Sequence, residues 1–364
     1  MTSAAPSPTT QRRIACVQLD SKHAGVAQNT DTVLNLVSKL VAERKTTPIH
    51  LLVLPELALT GYVFKSKEDI DPLLEDARLF KPPAPLQDAD NFTAACTASC
   101  LSAKQPSLTL AAHLAHQLHC HVVIGFPELG SQIQSSENAA SNGLANPPFD
   151  ARPRHVQDAA DTEEATQDYA FNSAALVAPD GSLKHVFRKH FLFETDEVWA
   201  SQGSGFQAIH LPLLGNVCVA ICMDLNPFQF QTPFESCELA SFCSDNSVDL
   251  LVMPMAWLLP KDEHQELDED QGKHAPSLST INYWALRCRP LFDPEHSSSH
   301  SSIPSTIAQS DPTYLVATNR CGNEAPALFA GSSCILQMKQ GKRPLLLDSL
   351  GATEQACLVV ELPA

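Results

Sequence analysis

His50-Leu51-Leu52-Val53-Leu54-Pro55-Glu56 is a continuous apolar run that stops at a proline and an acid. A strand made this way has no polar side to give to water, so both of its faces must be covered, as in the parallel sheets of α/β proteins. Runs of the same kind occur at 13–19, 122–126, 170–178, 217–222, 250–254 and 314–318. Between them apolar residues fall at helical spacing: Val33, Leu36, Val37 and Leu40 within 31–43, and further stretches at 107–120, 234–243 and 277–289. Pro179-Asp180-Gly181 joins 170–178 to 183–188 and reads as a hairpin turn. A last hairpin is expected between 330–339 and 356–362. Strand and helix alternate throughout, the pattern of one α/β domain with antiparallel hairpins mixed in.

The 364 residues, 44% of them hydrophobic and 18% charged, can bury about three quarters of the unfolded surface without help from disulfides. Lys and Arg number 24 against 41 Asp and Glu, and the net charge of −17 argues against nucleic acid or an anionic membrane surface as partner. No run approaches the roughly 18 apolar residues of a membrane span. The opening MTSAAPSPTTQRR lacks the apolar core of a signal peptide, and its Ser, Thr, Ala and Arg give it a faint mitochondrial flavour. The expected location is cytoplasmic, with mitochondrion and nucleus left open. The twelve cysteines are then expected to be reduced and mostly packed as small apolar side chains. Residues 1–12 are expected to be a flexible tail and 13–362 a single domain, with polar insertions near 131–168, 261–275 and 291–311.

Catalytic side chains in α/β folds tend to lie just past the carboxyl ends of buried strands. Glu56 ends the first long run, Lys189 follows 183–188, and Cys222 ends 217–222. Each has a plain alternative: a solvated acid, part of a basic surface patch in Arg188-Lys189-His190, and a core thiol. Together they complement one another. A carboxylate can take the thiol proton, and an ammonium can lower the thiol pKa and hold an oxyanion. Glu, Lys and Cys therefore make an acyl-transfer apparatus without histidine.

LPELALTGY at 54–62, FRKHFLF at 187–193 and ICMD at 221–224 resemble the three signature blocks of the nitrilase superfamily of carbon–nitrogen hydrolases. DLLVMPMAW at 249–257, Asn319-Arg320-Cys321-Gly322 and FAGSSCI at 329–335 agree in the same order. Cys222-Met223-Asp224-Leu225-Asn226-Pro227-Phe228 and Asn282-Tyr283-Trp284-Ala285-Leu286-Arg287 are similar to the fungal-type N-terminal amidases of that superfamily. The resemblance implies a four-layer α–β–β–α sandwich, a Glu56, Lys189, Cys222 triad and no cofactor. It implies partners that are peptide or protein amino termini bearing Asn or Gln, deamidated to Asp or Glu with release of ammonia, which would feed an N-degron pathway. Lys189 and the backbone N–H of Met223 would hold the oxyanion. Some relatives use a second glutamate after the lysine, which Glu197 matches best, with Glu194 as rival. The oligomeric state stays open between a monomer and a homodimer.

A free amino terminus needs a partner for its ammonium. Asp224, two residues past Cys222, is one candidate; the competing reading is a buried, hydrogen-bonded Asp. Asp196, Glu194 and Trp257 complete the substrate-binding set. Two other readings of the chain remain: a small-molecule ω-amidase, nitrilase or carbamoyl hydrolase, and a non-catalytic scaffold. The intact triad counts against the last. His113, His116 and His119 spread over a helix rather than converging, no C-x-x-C occurs, and 14 glycines leave little room for a phosphate loop, so no metal or nucleotide site is expected.

Overall fold

The computed structural model describes residues 11–43, 47–86, 92–131, 168–264, 275–296 and 311–363. Its first sheet runs β14 (Ala356–Leu362), β1 (Arg12–Gln18), β2 (Leu51–Val53), β3 (His121–Ser131), β4 (Asp168–Val177) and β5 (Leu183–Arg188) in spatial order. The second runs β13 (Leu345–Ser349), β12 (Cys334–Met338), β9 (Thr313–Asn319), β8 (Leu250–Met255), β7 (Gly215–Val219) and β6 (Ala208–Leu211). A small ribbon of β10 (Asn323–Glu324) and β11 (Ala327–Leu328) completes the strands. Each sheet has a parallel centre, β1–β2–β3 in one and β7–β8–β9 in the other, with antiparallel strands outside it.

Alternation along the strands sorts their side chains into layers. Ile14, Cys16, Leu51 and Val53 face the second sheet and share a core with Val217, Leu251 and Val316. Ala15, Val17, Leu52 and Leu54 face outward against α1 (Val26–Glu43), α3 (Phe92–Ser102) and α4 (Pro106–Leu118). α6 (Glu238–Asp245) and α7 (Leu278–Arg287) cover the far side of the second sheet through Leu239, Phe242 and Trp284. The architecture is an α–β–β–α sandwich. Two one-turn helices, α2 (Lys67–Ile70) and α5 (Glu194–Glu197), lie in the loops that follow β2 and β5. No described helix is long and apolar enough to cross a membrane.

The closing hairpin expected between 330–339 and 356–362 does not form. β12 pairs instead with β9 and β13, while β14 crosses to the other sheet and pairs with β1 from Arg12↔Leu362 to Gln18↔Ala356. β12 is thereby paired on both sides, and β14 covers the edge that β1 would otherwise leave open. α3 was not anticipated; its buried Phe92, Cys96 and Cys100 recur every four residues. Of the expected polar insertions, 132–167, 265–274 and 297–310 lie outside the described residues, as do 1–10 of the expected tail.

One buried acid serves the fold alone. Glu75 accepts hydrogen bonds from Ser107 N and Leu108 N at 2.9 and 3.2 Å, capping the start of α4. Burial outweighs those bonds and pushes its pKa from 4.5 up to about 7. A carboxyl that is raised on folding holds its proton better in the native state, so stability is full below pH 4.5 and falls as pH climbs to about 7. Glu75→Gln is expected to lose less stability than the wild type between pH 5 and pH 7.5 in urea titrations. Parallel curves for the two proteins would refute the assignment.

Candidate active site

Glu56, Lys189 and Cys222 arrive from three different loops. The Glu56 loop lies directly on β3: Gly125 N donates to Pro55 O at 3.2 Å and Ala58 N donates to Gly125 O at 3.0 Å. A Cβ at position 125 would stand 2.6 Å from Glu56 Cα, so only glycine admits the loop there. Lys189 leaves β5 with its N–H bonded to Asn172 O on β4 at 2.8 Å. Cys222 sits beyond β7, on the facing sheet, at the head of the 3₁₀ turn Cys222–Leu225. Its φ of 44° puts a non-glycine residue in the left-handed region. Such strain persists where the surroundings over-determine it, commonly at functional sites.

The side chains meet in a closed hydrogen-bonded ring. Lys189 Nζ donates to Glu56 Oε1 and to Asp196 Oδ2, both at 2.6 Å, with all three residues 0% exposed. Asn172 Nδ2 donates to the same Glu56 Oε1 at 2.7 Å and to Asp196 Oδ1 at 2.9 Å. Glu56 Oε2 accepts from Ala256 N at 2.7 Å, which leaves one of its lone pairs unassigned. Cys222 is 7% exposed, and its thiol lies within electrostatic reach of Glu56, Lys189 and Asp196 and within hydrogen-bond reach of the Ala256 N–H.

Burial, and then the charge on Glu56, raise the Cys222 pKa well above its ordinary value, so the resting side chain is a thiol. Burial likewise raises Glu56, with Asp196 adding to the effect while Lys189 and Asn172 oppose it. Burial disfavours the Lys189 charge, but Asp196 and Glu56 more than offset it and keep the ammonium protonated. A lysine ammonium has three donors. Two point at carboxylates, and the third is engaged by neither of them.

The acid beside the lysine is Asp196, whereas Glu194 and Glu197 are both exposed. Trp199 is buried in the cluster with Tyr62 and Phe64, and Asp196, three residues earlier on the same helical face, is turned inward with it. Spacing from Lys189 alone could not show this; the apolar anchor at Trp199 could have. Asp224 is also turned inward. Its Oδ1 accepts from His190 N at 2.9 Å and Phe191 N at 2.7 Å, and its Oδ2 accepts from Ile221 N at 2.7 Å. Asp224 therefore ties the chain after Lys189 to the chain before Cys222, the buried reading rather than the ammonium-binding one. Asn172, inside a buried strand, was not singled out from sequence; a polar side chain at such a position needs partners, and that was the available signal.

Trp257 follows Ala256 and is held by Asn319, whose Oδ1 accepts from Trp257 N at 2.7 Å. Its partly exposed ring meets Tyr283 and Trp284 at centroid distances of 5.5 and 5.9 Å. Tyr283 Oη donates to Asn226 Oδ1 at 2.7 Å, joining this aromatic corner to the turn that carries Cys222. Tyr62 closes the opposite side, its ring centroid 5.7 Å from Lys189 Nζ. The histidines near 113–121 diverge: His113 bonds Ser99 Oγ, His116 bonds Asp180 O, and His119 ends α4 in the left-handed conformation. Among the described residues no group of three or more His, Cys, Asp or Glu is arranged to hold a metal. All twelve cysteines, each among the described residues, are free thiols.

A profile of the family described as Carbon-nitrogen hydrolase matches residues 13–226. A Schizosaccharomyces pombe protein described as "Protein N-terminal amidase" is 31% identical over 362 residues, covering 96% of this chain and 99% of that one. Two solved structures, of N-terminal amidase with Asn-Glu-Ala peptide and with Gln-Val peptide, superpose with TM-scores of 0.68 and 0.67. Each is 20% identical and covers 97% of both chains, a likeness of fold.

Proposed function

Because the chain belongs to the carbon–nitrogen hydrolase family, we propose that it hydrolyses the side-chain carboxamide of an amino-terminal Asn or Gln on a peptide. The observation that carries the reading is the buried Glu56–Lys189 pair beside the Cys222 thiol: a base, a cation and a nucleophile with no histidine. The names of the Schizosaccharomyces pombe relative and of the peptide-bound structures support the choice of substrate.

The reaction runs in two halves. Glu56 Oε2, the oxygen with a lone pair left, takes the Cys222 proton as sulfur bonds to the carboxamide carbon. The carbonyl π pair moves to oxygen, and the third Lys189 N–H and the Met223 N–H at the start of the 3₁₀ turn hold the oxyanion. On collapse the C–N bond breaks and the nitrogen takes the Glu56 proton, leaving as ammonia. Glu56 next accepts a proton from water, whose oxygen attacks the thioester. The C–S bond breaks, the thiolate recovers the proton, and an amino-terminal Asp or Glu departs. Of the candidates for the substrate ammonium, Asp196 and Asp224 are buried and each already accepts three hydrogen bonds from within the protein. Trp257, whose ring is partly exposed, can receive a cation by its quadrupole, and the exposed Glu194 is the remaining acid.

Ammonia release from Asn- and Gln-initiated peptides, from their acetylated forms and from free asparagine is the deciding measurement. The free-amino peptides are expected to be deamidated and the acetylated ones not. Equal rates on acetylated peptides would overturn the amino-terminal reading. A preference for the free amino acid would favour a small-molecule amidase.

A further inference from the structure

We propose that Asn172 is a positioning residue for the reaction: its amide holds the Glu56 and Asp196 carboxylates in place around Lys189 and keeps Glu56 Oε2 turned toward the thiol. The inference rests on the reading of Glu56 as base. Asn172 Nδ2 uses both of its protons on two carboxylates at 2.7 and 2.9 Å, completing with Lys189 Nζ a ring of two acids and two donors. Its backbone also takes part, because Asn172 O accepts the Lys189 N–H at 2.8 Å. One residue thus fixes the lysine backbone and the carboxylates that the lysine head group joins.

A second observation is independent of those distances. Asn172 Oδ1 is buried with no hydrogen-bond partner among the described residues. A buried unpaired carbonyl is unfavourable. Rotating the amide would not relieve it, since Oδ1 would then face two carboxylates with no proton between them. The amide orientation is therefore dictated by the acids, at the expense of its own oxygen. An asparagine selected only for packing in β4 would carry no such imbalance.

The chemical consequence concerns Glu56. Facing it are Lys189 and Asp196 from the first sheet's loops, Cys222 from the second sheet and Tyr62 from its own loop. Lys189 alone cannot fully neutralise two carboxylates, and Asn172 supplies a second donor to the Oε1 of ionised Glu56, beside the Ala256 N–H on Oε2. Removing that donor favours the protonated acid, which cannot accept the thiol proton. The base then works only at higher pH. A residue with a purely structural role would lower activity by the same factor at every pH.

The test compares wild type, Asn172→Ala and Asn172→Asp by two pH profiles: kcat/KM for ammonia release from an Asn-initiated peptide, and the rate of Cys222 alkylation by iodoacetamide followed by peptide mass. The acidic limb of both profiles is expected to move up by about one pH unit in Asn172→Ala and further in Asn172→Asp, with much of the loss recovered at high pH. A lowered plateau with an unmoved limb in a folded variant overturns the proposal. Should Asn172→Ala fail to fold, the same-shaped Asn172→Asp carries the same comparison. The alkylation arm needs no substrate, so a peptide that is not turned over at all refutes the proposed reaction while leaving the role of Asn172 readable.

Discussion

Lys189→Met is expected to remove about 3–5 kcal/mol of folding stability near pH 8, because it leaves two buried carboxylates without their shared cation. Glu56 Oε1 and Asp196 Oδ2 both lie 2.6 Å from the ammonium in the native protein. Without it one of them must take up a proton, which raises its folded pKa above the unfolded value. Stability of the variant should then be greatest at acidic pH and fall as pH rises more steeply than in the wild type, where Lys189 opposes the upward shift of Glu56. Urea titrations at pH 5 and pH 8 measure the contrast. Glu56→Gln in the Lys189→Met background should restore part of the stability, since it deletes one of the orphaned charges. Activity should not return: loss of an oxyanion donor alone lowers kcat by about 10²–10³. Wild-type stability of Lys189→Met at pH 8 would show that the pair contributes nothing to the fold.

Cys222→Ala is expected to lower kcat by on the order of 10⁵–10⁶, because no other group can form the thioester. Its stability should change little, and here the backbone makes a finer prediction. The φ of 44° at Cys222 is unfavourable for any side chain with a Cβ, by about 1–2 kcal/mol. Cys222→Gly should therefore be at least as stable as Cys222→Ala in thermal melts, although glycine loses more entropy on folding. A clear loss of stability in Cys222→Gly relative to Cys222→Ala would mean that the turn is not strained. Neither variant should form a covalent adduct with an Asn-initiated peptide, whereas the wild type should show one by mass spectrometry under rapid quench.

The strands that carry the site are legible as apolar runs because burial on both faces demands apolar residues at every position, and that demand is local. The ends of those runs place Glu56, Lys189 and Cys222 at loop mouths, and the residue types suggest the chemistry they make together. Pairing of the last strands is another matter. The stretches 330–339 and 356–362 both read as strands, and nothing in either says that one joins β9 and the other β1. Edge satisfaction is a property of the assembled sheets.

The same division runs through the site. Among Glu194, Asp196 and Glu197 the sequence offers three acids within four residues, and the inward one is selected by the burial of Trp199. Asp224 becomes a bracket rather than a ligand because three N–H groups converge on it, two of them more than 30 residues away. Asn172 reaches Glu56 across 116 positions and Lys189 reaches it across 133. The sequence by itself determined the composition of each strand and the kinds of group at its end, since those follow from local burial and local chemistry. Which oxygen receives which proton was decided only by the tertiary structure, because a hydrogen bond selects over tenths of an ångström between residues that the chain holds far apart.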